Sequence, residues 1–570
     1  MAFFTVYYFI VFKIALIFPL NLSQQQAKML KMSYQRPDSP PQQLEFTPQF
    51  EKTLRLLENT DCSLFITGRA GTGKSTLLNY FRQTTKKKLV VLAPTGVAAL
   101  NVQGQTIHSF FSFRPDITPD KVKRLQPSKQ KLIRSLDAII IDEISMVRAD
   151  LLDCIDLALR LNRDYENVPF GGLQMILIGD LYQLPPVVTP REEKVFSLHY
   201  ESPYFFSANV FHDKNFRLEY VELDKVFRQK DQGFLELLNA IRNRSISEEQ
   251  LTRLNARYLP DFQPEEDEFY VTLTSTNEAA DAINQEKLAH LPGKNRYYQG
   301  EIEGEFEEAY LPTSKVLALK EGAQVMLLTN DPYGRWVNGS IGRIEEIIKP
   351  ETGAEVVMVR LSSGELVDIL PHQWEIFHFE LDQKKNKIIS RVVGTFNQYP
   401  LRLSWAVTIH KSQGKTFDRV VVDIGRGTFA HGQVYVALSR CTSFEGLVLK
   451  KPIKKGHILM DYRVVRFLTR FQYEQASEKL PVEVKRKRIK EAIKNNQWLE
   501  MIYLKPDDSK SQRVVKPLSL SRMEYGGKNF EGLRAYCFLR QEERTFRLDR
   551  ILDLKIIEPE KKARKKRPGH

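Results

Sequence analysis

One stretch limits the fold more than any other: LFITGRAGTGKSTLL, residues 64–78. Its apolar opening is continuous rather than alternating, which predicts a strand buried on both faces, as parallel sheets require. The run enters G-x-x-x-x-G-K-[ST] at Gly68, Gly73, Lys74 and Ser75, and then a helical pattern. Glycines let backbone N–H groups wrap a phosphate chain, and the helix N-terminus adds its dipole. Lys74 offers a point charge to β- and γ-phosphates, and Ser75 a hydroxyl to Mg²⁺. Gly68, Gly71, Gly73, Lys74, Ser75 and Thr76 are therefore the candidate nucleotide-binding residues, with ATP and Mg²⁺ as cofactors.

Three further segments supply what a phosphate cradle needs. AIIIDEIS ends a strand pattern with Asp142, placed to hold Mg²⁺, and Glu143, placed to orient and deprotonate water. LIGDLYQLPPV offers Gln183, whose amide can hydrogen-bond a γ-phosphate or its water. Arg228 in DKVFRQ and Arg440 in YVALSRCTS are arginines able to stabilise transition-state charge, although on spacing alone a surface salt bridge fits each of them better.

The strand-length runs CSLFITG, LVVLAPT, DAIIIDE and QMILIGD alternate with helical patterns, so residues 41–225 are expected to form a doubly wound α/β domain. YVTLTST and RVVVDIG mark a second α/β domain at 226–450, interrupted at about 340–400 by a small β-rich insertion. Residues 451–483 read as a basic helical linker, 484–560 as a strand-rich module, and 561–570 as a charged tail. Four scattered cysteines exclude a disulfide framework and a zinc ribbon. A net charge of +14 favours polyanionic partners, nucleic acid before anionic membrane.

Residues 1–40 stand apart: an almost uncharged apolar segment followed by a Pro-rich linker, expected to lie outside the fold. The segment is nearly long enough to span a bilayer, but no basic residue precedes the apolar run and Lys13 interrupts it. The reading adopted is a translation start at Met29 or Met32, with no membrane partner; a membrane anchor is the alternative.

Taken in order, GRAGTGKST, APTGVAALNVQGQTIHSFF, IIIDEISMV, GDLYQLPPV, VFRQ, TIHKSQGKTFDRVVVD and QVYVALSRC resemble the Pif (petite integration frequency) family of superfamily-one DNA helicases, with RecD a more distant relative. The resemblance spans about residues 46–450. It implies two RecA-like P-loop NTPase domains, a small β-barrel within the second, and ATP between them. It places Lys74, Ser75, Asp142, Glu143 and Gln183 at nucleotide and Mg²⁺, Arg228 and Arg440 at the γ-phosphate, and Gly414 near ribose and phosphates. For adenine it leaves Gln49 or Glu51. It implies a single-strand DNA channel at Pro94, Thr95 and Gly96, at 106–111 and at 408–413, where His108, Phe110 and His410 would meet bases and Lys411 and Ser412 phosphates; Phe111 reads as core. The activity implied is 5′ to 3′ unwinding of single-stranded, forked or structured DNA, G-quadruplexes and RNA–DNA hybrids included, by a monomer.

Residues 484–558, ending in RTFRLDRI, resemble the WYL domain of bacterial regulators, with AYCFL where the naming triplet would stand. Arg540, Arg544, Arg547 and Arg550 are its candidate anion-binding residues, Arg547 first. That likeness points to a bacterial cytoplasm and nucleoid. Two alternatives remain: a partner-dependent RecD-like translocase, and a ligand-responsive regulator driven by the WYL-like module. Intact-mass measurement on the natural protein is expected to show a chain starting at Met29 or Met32; a mass including residues 1–28 overturns the late start.

Overall fold

The computed structural model describes residues 46–227, 231–265, 267–351, 353–425, 427, 430–505, 510–525 and 528–558. The N-terminal apolar segment, Arg228 and the basic tail lie outside the described residues. Residues 331–335 carry their own ion pair, Arg335 to Asp331 at 2.9 Å.

Six parallel strands build the first sheet: β1 (Ser63–Gly68), β2 (Leu89–Ala93), β3 (Gln105–Thr106), β4 (Ala138–Ile141), β5 (Gln174–Ile178) and β6 (Leu218–Leu223), in the order β3-β2-β4-β5-β1-β6. Every residue of β1, β4 and β5 is buried, as their unbroken apolar sequences require when helices cover both faces. Parallel strands bring all their carboxyl ends to one edge. Gly68, Asp142 and Asp180 therefore converge there, because β4, β5 and β1 are neighbours.

A second parallel sheet has the order Ala406–Thr408, Val271–Thr274, Val420–Asp423, Leu447–Leu449. Antiparallel strands fill the stretch between its first and later strands. They begin at Arg296–Gln299 and end at Leu401–Leu403, extending beyond the expected 340–400. Five of them pair in the order Leu366–Ile369, Val356–Leu361, Ile341–Ile348, Gln324–Leu327, Leu401–Leu403. Among the described residues the two edge strands of this sheet do not pair with each other, so these pairings trace a five-stranded sheet and do not confirm the small barrel expected. A long hairpin, His372–Asp382 with Lys387–Gln398, forms a separate sheet with Glu301–Gly304.

The C-terminal module has its own core and an antiparallel sheet of five strands, covered by the helix Val482–Lys494 through Ile489 and Ala492. The helix Tyr462–Lys479 precedes it. Near its start, Phe467 stacks on Phe206 at 4.3 Å and Phe471 stacks on Tyr220 at 5.3 Å. Phe467 also reaches Phe65 of β1 at 6.1 Å. This helix thus completes the core of the first α/β domain although it follows the second in sequence. Phe467→Ala removes a stacked ring from that core and is expected to cost about 3 kcal/mol, seen as a lower thermal midpoint; an unchanged midpoint refutes the packing role.

Candidate active site

The loop after β1 is held by close backbone packing. A Cβ on Gly68 would sit 2.7 Å from the Leu223 carbonyl oxygen of β6, so only glycine fits there. Gly71 and Gly73 turn through the left-handed region at φ 79° and 85°, which glycine adopts without strain. The Gly71 carbonyl accepts the Phe227 N–H at 2.8 Å, fastening Phe227 to the loop. Lys74, at the start of the helix Lys74–Thr84, donates to the carbonyls of Gly68 at 2.7 Å and Arg69 at 3.0 Å. Ser75 and Thr76 lie in its first turn, both exposed.

Carboxylates face this ammonium. Burial lowers the Lys74 pKa, and the charges of Asp180, Glu143 and Asp142 oppose that shift. Burial raises Asp142. Glu143 is pushed up to about 7, by burial first and then by Asp142, with Lys74 and Arg440 pulling the other way. A carboxylate tuned near neutrality suits proton transfer at neutral pH. Its backbone is left-handed at φ 50°, uncommon for a residue with a side chain and frequent at functional turns. Asp142 and the Ser75 hydroxyl are oxygen donors of the kind Mg²⁺ takes alongside phosphate and water. Among the described residues no cluster of three or more His, Cys, Asp or Glu forms a self-sufficient metal cage.

The second α/β half closes over these groups. Arg440 is only 1% exposed; its Nε donates to the Val436 carbonyl at 3.0 Å and its Nη1 to the carbonyls of Ser412 at 3.3 Å and Lys415 at 3.2 Å. Gln183 is buried, its amide nitrogen on Asp180 at 3.2 Å and its amide oxygen accepting from Gln413 at 3.3 Å. The Tyr435 hydroxyl accepts the Ala70 N–H of the phosphate loop at 3.3 Å. Gly414 takes a left-handed φ of 76° with open space around its Cα. Asp180, Arg242, Gln413 and Tyr435 join the candidate site without having been singled out in the sequence. Asp180, Gln413 and Tyr435 lie within motifs already quoted; Arg242 has no such signal.

Near the expected adenine position, Gln49 donates to Asp224 at 3.3 Å, whereas Glu51 pairs along its helix with Arg55. Phe227 was also passed over. It is 48% exposed, with its ring 3.9 Å from where a Gly73 Cβ would stand and Lys225 over one face. A flat exposed ring beside a phosphate loop is a surface on which a purine can stack.

The expected DNA-channel residues divide. Pro94 follows β2, and Thr95 caps the helix Gly96–Asn101 by accepting the Ala98 N–H at 3.2 Å, while the Tyr310 ring covers Gly96. His108 lines a cleft of about 890 Å³ with Lys129, Tyr310 and His378. Lys411 is exposed, and His410 precedes it in the same loop. Two expectations are corrected. Phe110 is 3% exposed, edge-on to Phe111 at 4.9 Å, so its ring is core and has no face for a base. Ser412 is buried and its hydroxyl donates to the Ile409 carbonyl at 2.7 Å; it shapes the loop instead of meeting phosphate. In the C-terminal module, Arg547 pairs with Asp549 and lies over the Phe530 ring, and Arg544 pairs with Glu542.

The family model described as PIF1-like helicase matches residues 50–252, and the WYL domain model matches 486–556. The chain is 32% identical over 444 residues to the ATP-dependent DNA helicase Pif1 of Bdellovibrio bacteriovorus, covering 76% of this chain and 94% of that one. It is 35% identical over 398 residues to human ATP-dependent DNA helicase PIF1, covering 68% of this chain but 58% of the human protein. A Bacteroides Pif1 structure in complex with ADP-AlF4 is similar at 36% identity, TM-score 0.69, over 76% of this chain and 98% of that one. A Bacteroides Pif1 bound to single-stranded DNA is similar at 35% identity and TM-score 0.55, with the same coverage.

Phe227→Ala is expected to raise the KM for ATP by about tenfold, the loss of one stacking contact, with little change in kcat. An unchanged KM would remove Phe227 from the base site.

Proposed function

The chain belongs to the PIF1-like helicase family, and we propose that it works as an ATP-dependent DNA helicase, moving 5′ to 3′ along single-stranded DNA and opening forked or structured DNA. The observation that carries this reading is the direct contact between the nucleotide-facing and DNA-facing loops. Gln183 meets Gln413, and Arg440 is gripped by the carbonyls of Ser412 and Lys415. The loop that presents His410 and Lys411 is therefore tied to Arg440, whose charge acts on Glu143, and to Gln183, which meets Asp180, a carboxylate facing Lys74.

In the proposed cycle the phosphate loop and Lys74 bind the triphosphate, and Glu143 takes the proton from the attacking water. Arg440 and Arg228 offset the charge that develops on the γ-phosphate. Mg²⁺, held by Asp142 and Ser75, supplies charge neutralisation on the phosphate oxygens when bound. Gln183 reports the state of the γ-phosphate to Gln413, and the 408–413 loop changes its grip on the strand. Pro94–Gly96 backbone, His108, His410 and Lys411 hold the strand without reading its sequence. The WYL module is assigned an accessory role, sensing nucleic acid or another anionic ligand through its arginines, Arg547 among them. G-quadruplexes and RNA–DNA hybrids are included among substrates, the motor acts as a monomer, and its place is the cytoplasm and nucleoid.

Two matched duplexes, one with a 5′ tail and one with a 3′ tail, test the reading in ATP and Mg²⁺. Opening of the 5′-tailed duplex alone, abolished by Lys74→Ala, is the expected result. Opening from the 3′ tail reverses the polarity. ATPase stimulated by single strands without opening of either duplex moves the assignment to a partner-dependent translocase.

A further inference from the structure

Asp180 is the most enclosed carboxylate beside the phosphate loop, its side chain without solvent exposure. Such a charge persists only if it is compensated where it lies. Its Oδ1 accepts the Tyr182 N–H at 3.1 Å and its Oδ2 the Gln183 amide at 3.2 Å. Both donors are neutral and local. A cation comes from the other α/β half: Arg242, last residue of the helix Gln232–Arg242, lies 3.5 Å from Oδ1. Its guanidinium is buried against Tyr182, 3.9 Å from the ring centroid. Burial opposes the charge on Arg242, yet Asp180 and its neighbours outweigh it and the group is held firmly cationic. Its Nε has no hydrogen-bond partner among the described residues.

We propose that Arg242 is a positioning residue for ATP hydrolysis: it clamps Asp180 across the interdomain boundary and thereby fixes the Gln183 amide toward the nucleotide. The inference rests on the ATPase reading above. Gln183 is held at both ends, its nitrogen by Asp180 and its oxygen by Gln413. If Asp180 turns, the nitrogen end is released. Because Arg242 travels with the second half, opening of the halves withdraws the clamp and closure restores it. The pose of Gln183 then follows domain closure through one ion pair. A lysine cannot substitute, since a compact ammonium neither stacks on Tyr182 nor presents a planar fork.

The test compares ATPase kinetics of the full chain, saturated with single-stranded DNA, for wild type, Arg242→Lys and the paired Arg242→Gln/Asp180→Asn. The pair removes both charges, so no buried carboxylate is left uncompensated, and the amide introduced at position 180 still offers Gln183 an acceptor oxygen. The proposal expects the pair to keep the wild-type thermal midpoint and DNA affinity, with ATP KM within about threefold and kcat lower by about tenfold or more. Arg242→Lys is expected to lower kcat likewise. A kcat within about twofold of wild type in either variant overturns the proposal, as does a rise in KM with kcat unchanged. A wild-type chain that does not hydrolyse ATP on DNA refutes the ATPase reading itself and is recognised before any variant is compared.

Discussion

Everything around the phosphate loop depends on charge being compensated away from water. Lys74, Asp142, Glu143, Asp180, Arg242 and Arg440 crowd the carboxyl edge of the first sheet, and none of them would persist there alone. The carboxylates belong to the first α/β half, and Arg242 and Arg440 to the second. Closing the halves is therefore itself an act of charge compensation. An arriving triphosphate adds negative charge to a set that is already balanced, so the cations must redistribute between it and the carboxylates. In the proposed cycle that redistribution links nucleotide state to domain position.

In the proposed cycle the same crowding carries information from DNA to the nucleotide site. Arg440 does not stand freely at the cleft; its guanidinium is threaded among the carbonyls of the 412–415 loop. A shift of that loop under a phosphate backbone shifts the guanidinium by necessity. Interiors packed this closely move between discrete arrangements and do not deform gradually, which suits a stepping device.

Much of this was legible in the sequence because each legible part is local. The phosphate loop, Asp142 with Glu143, and Gln183 sit at strand ends, where an apolar run announces the strand and its last residues the site. Arg242 was not legible: an arginine in the last turn of an amphipathic helix has an ordinary use against the helix dipole, and only the tertiary fold turns it inward. Tyr435 reads as one more apolar position in QVYVAL until its hydroxyl is seen on Ala70. Phe110 and Ser412 failed in the opposite direction. Their residue types suit nucleic acid, but short helices and tight loops use aromatic rings and hydroxyls to satisfy themselves first. The insertion was seen as β-rich, yet its extent and strand order depend on pairings between strands far apart in sequence, which alternation alone does not specify.

The aromatic seam of Phe467 and Phe471 has a consequence for how the chain is made. These rings stack on Phe206 and Tyr220, so the first domain to leave the ribosome lacks part of its core until nearly all of the motor has been synthesised. Until then that helix is not there to cover Phe205, Phe206 and Tyr220, and the contact that covers them closes one of the longest loops in the molecule. Completion of the first domain is thereby postponed until the last helix of the motor has been made. Newly made chains pass through an interval in which an aromatic face is open to chaperones or to one another.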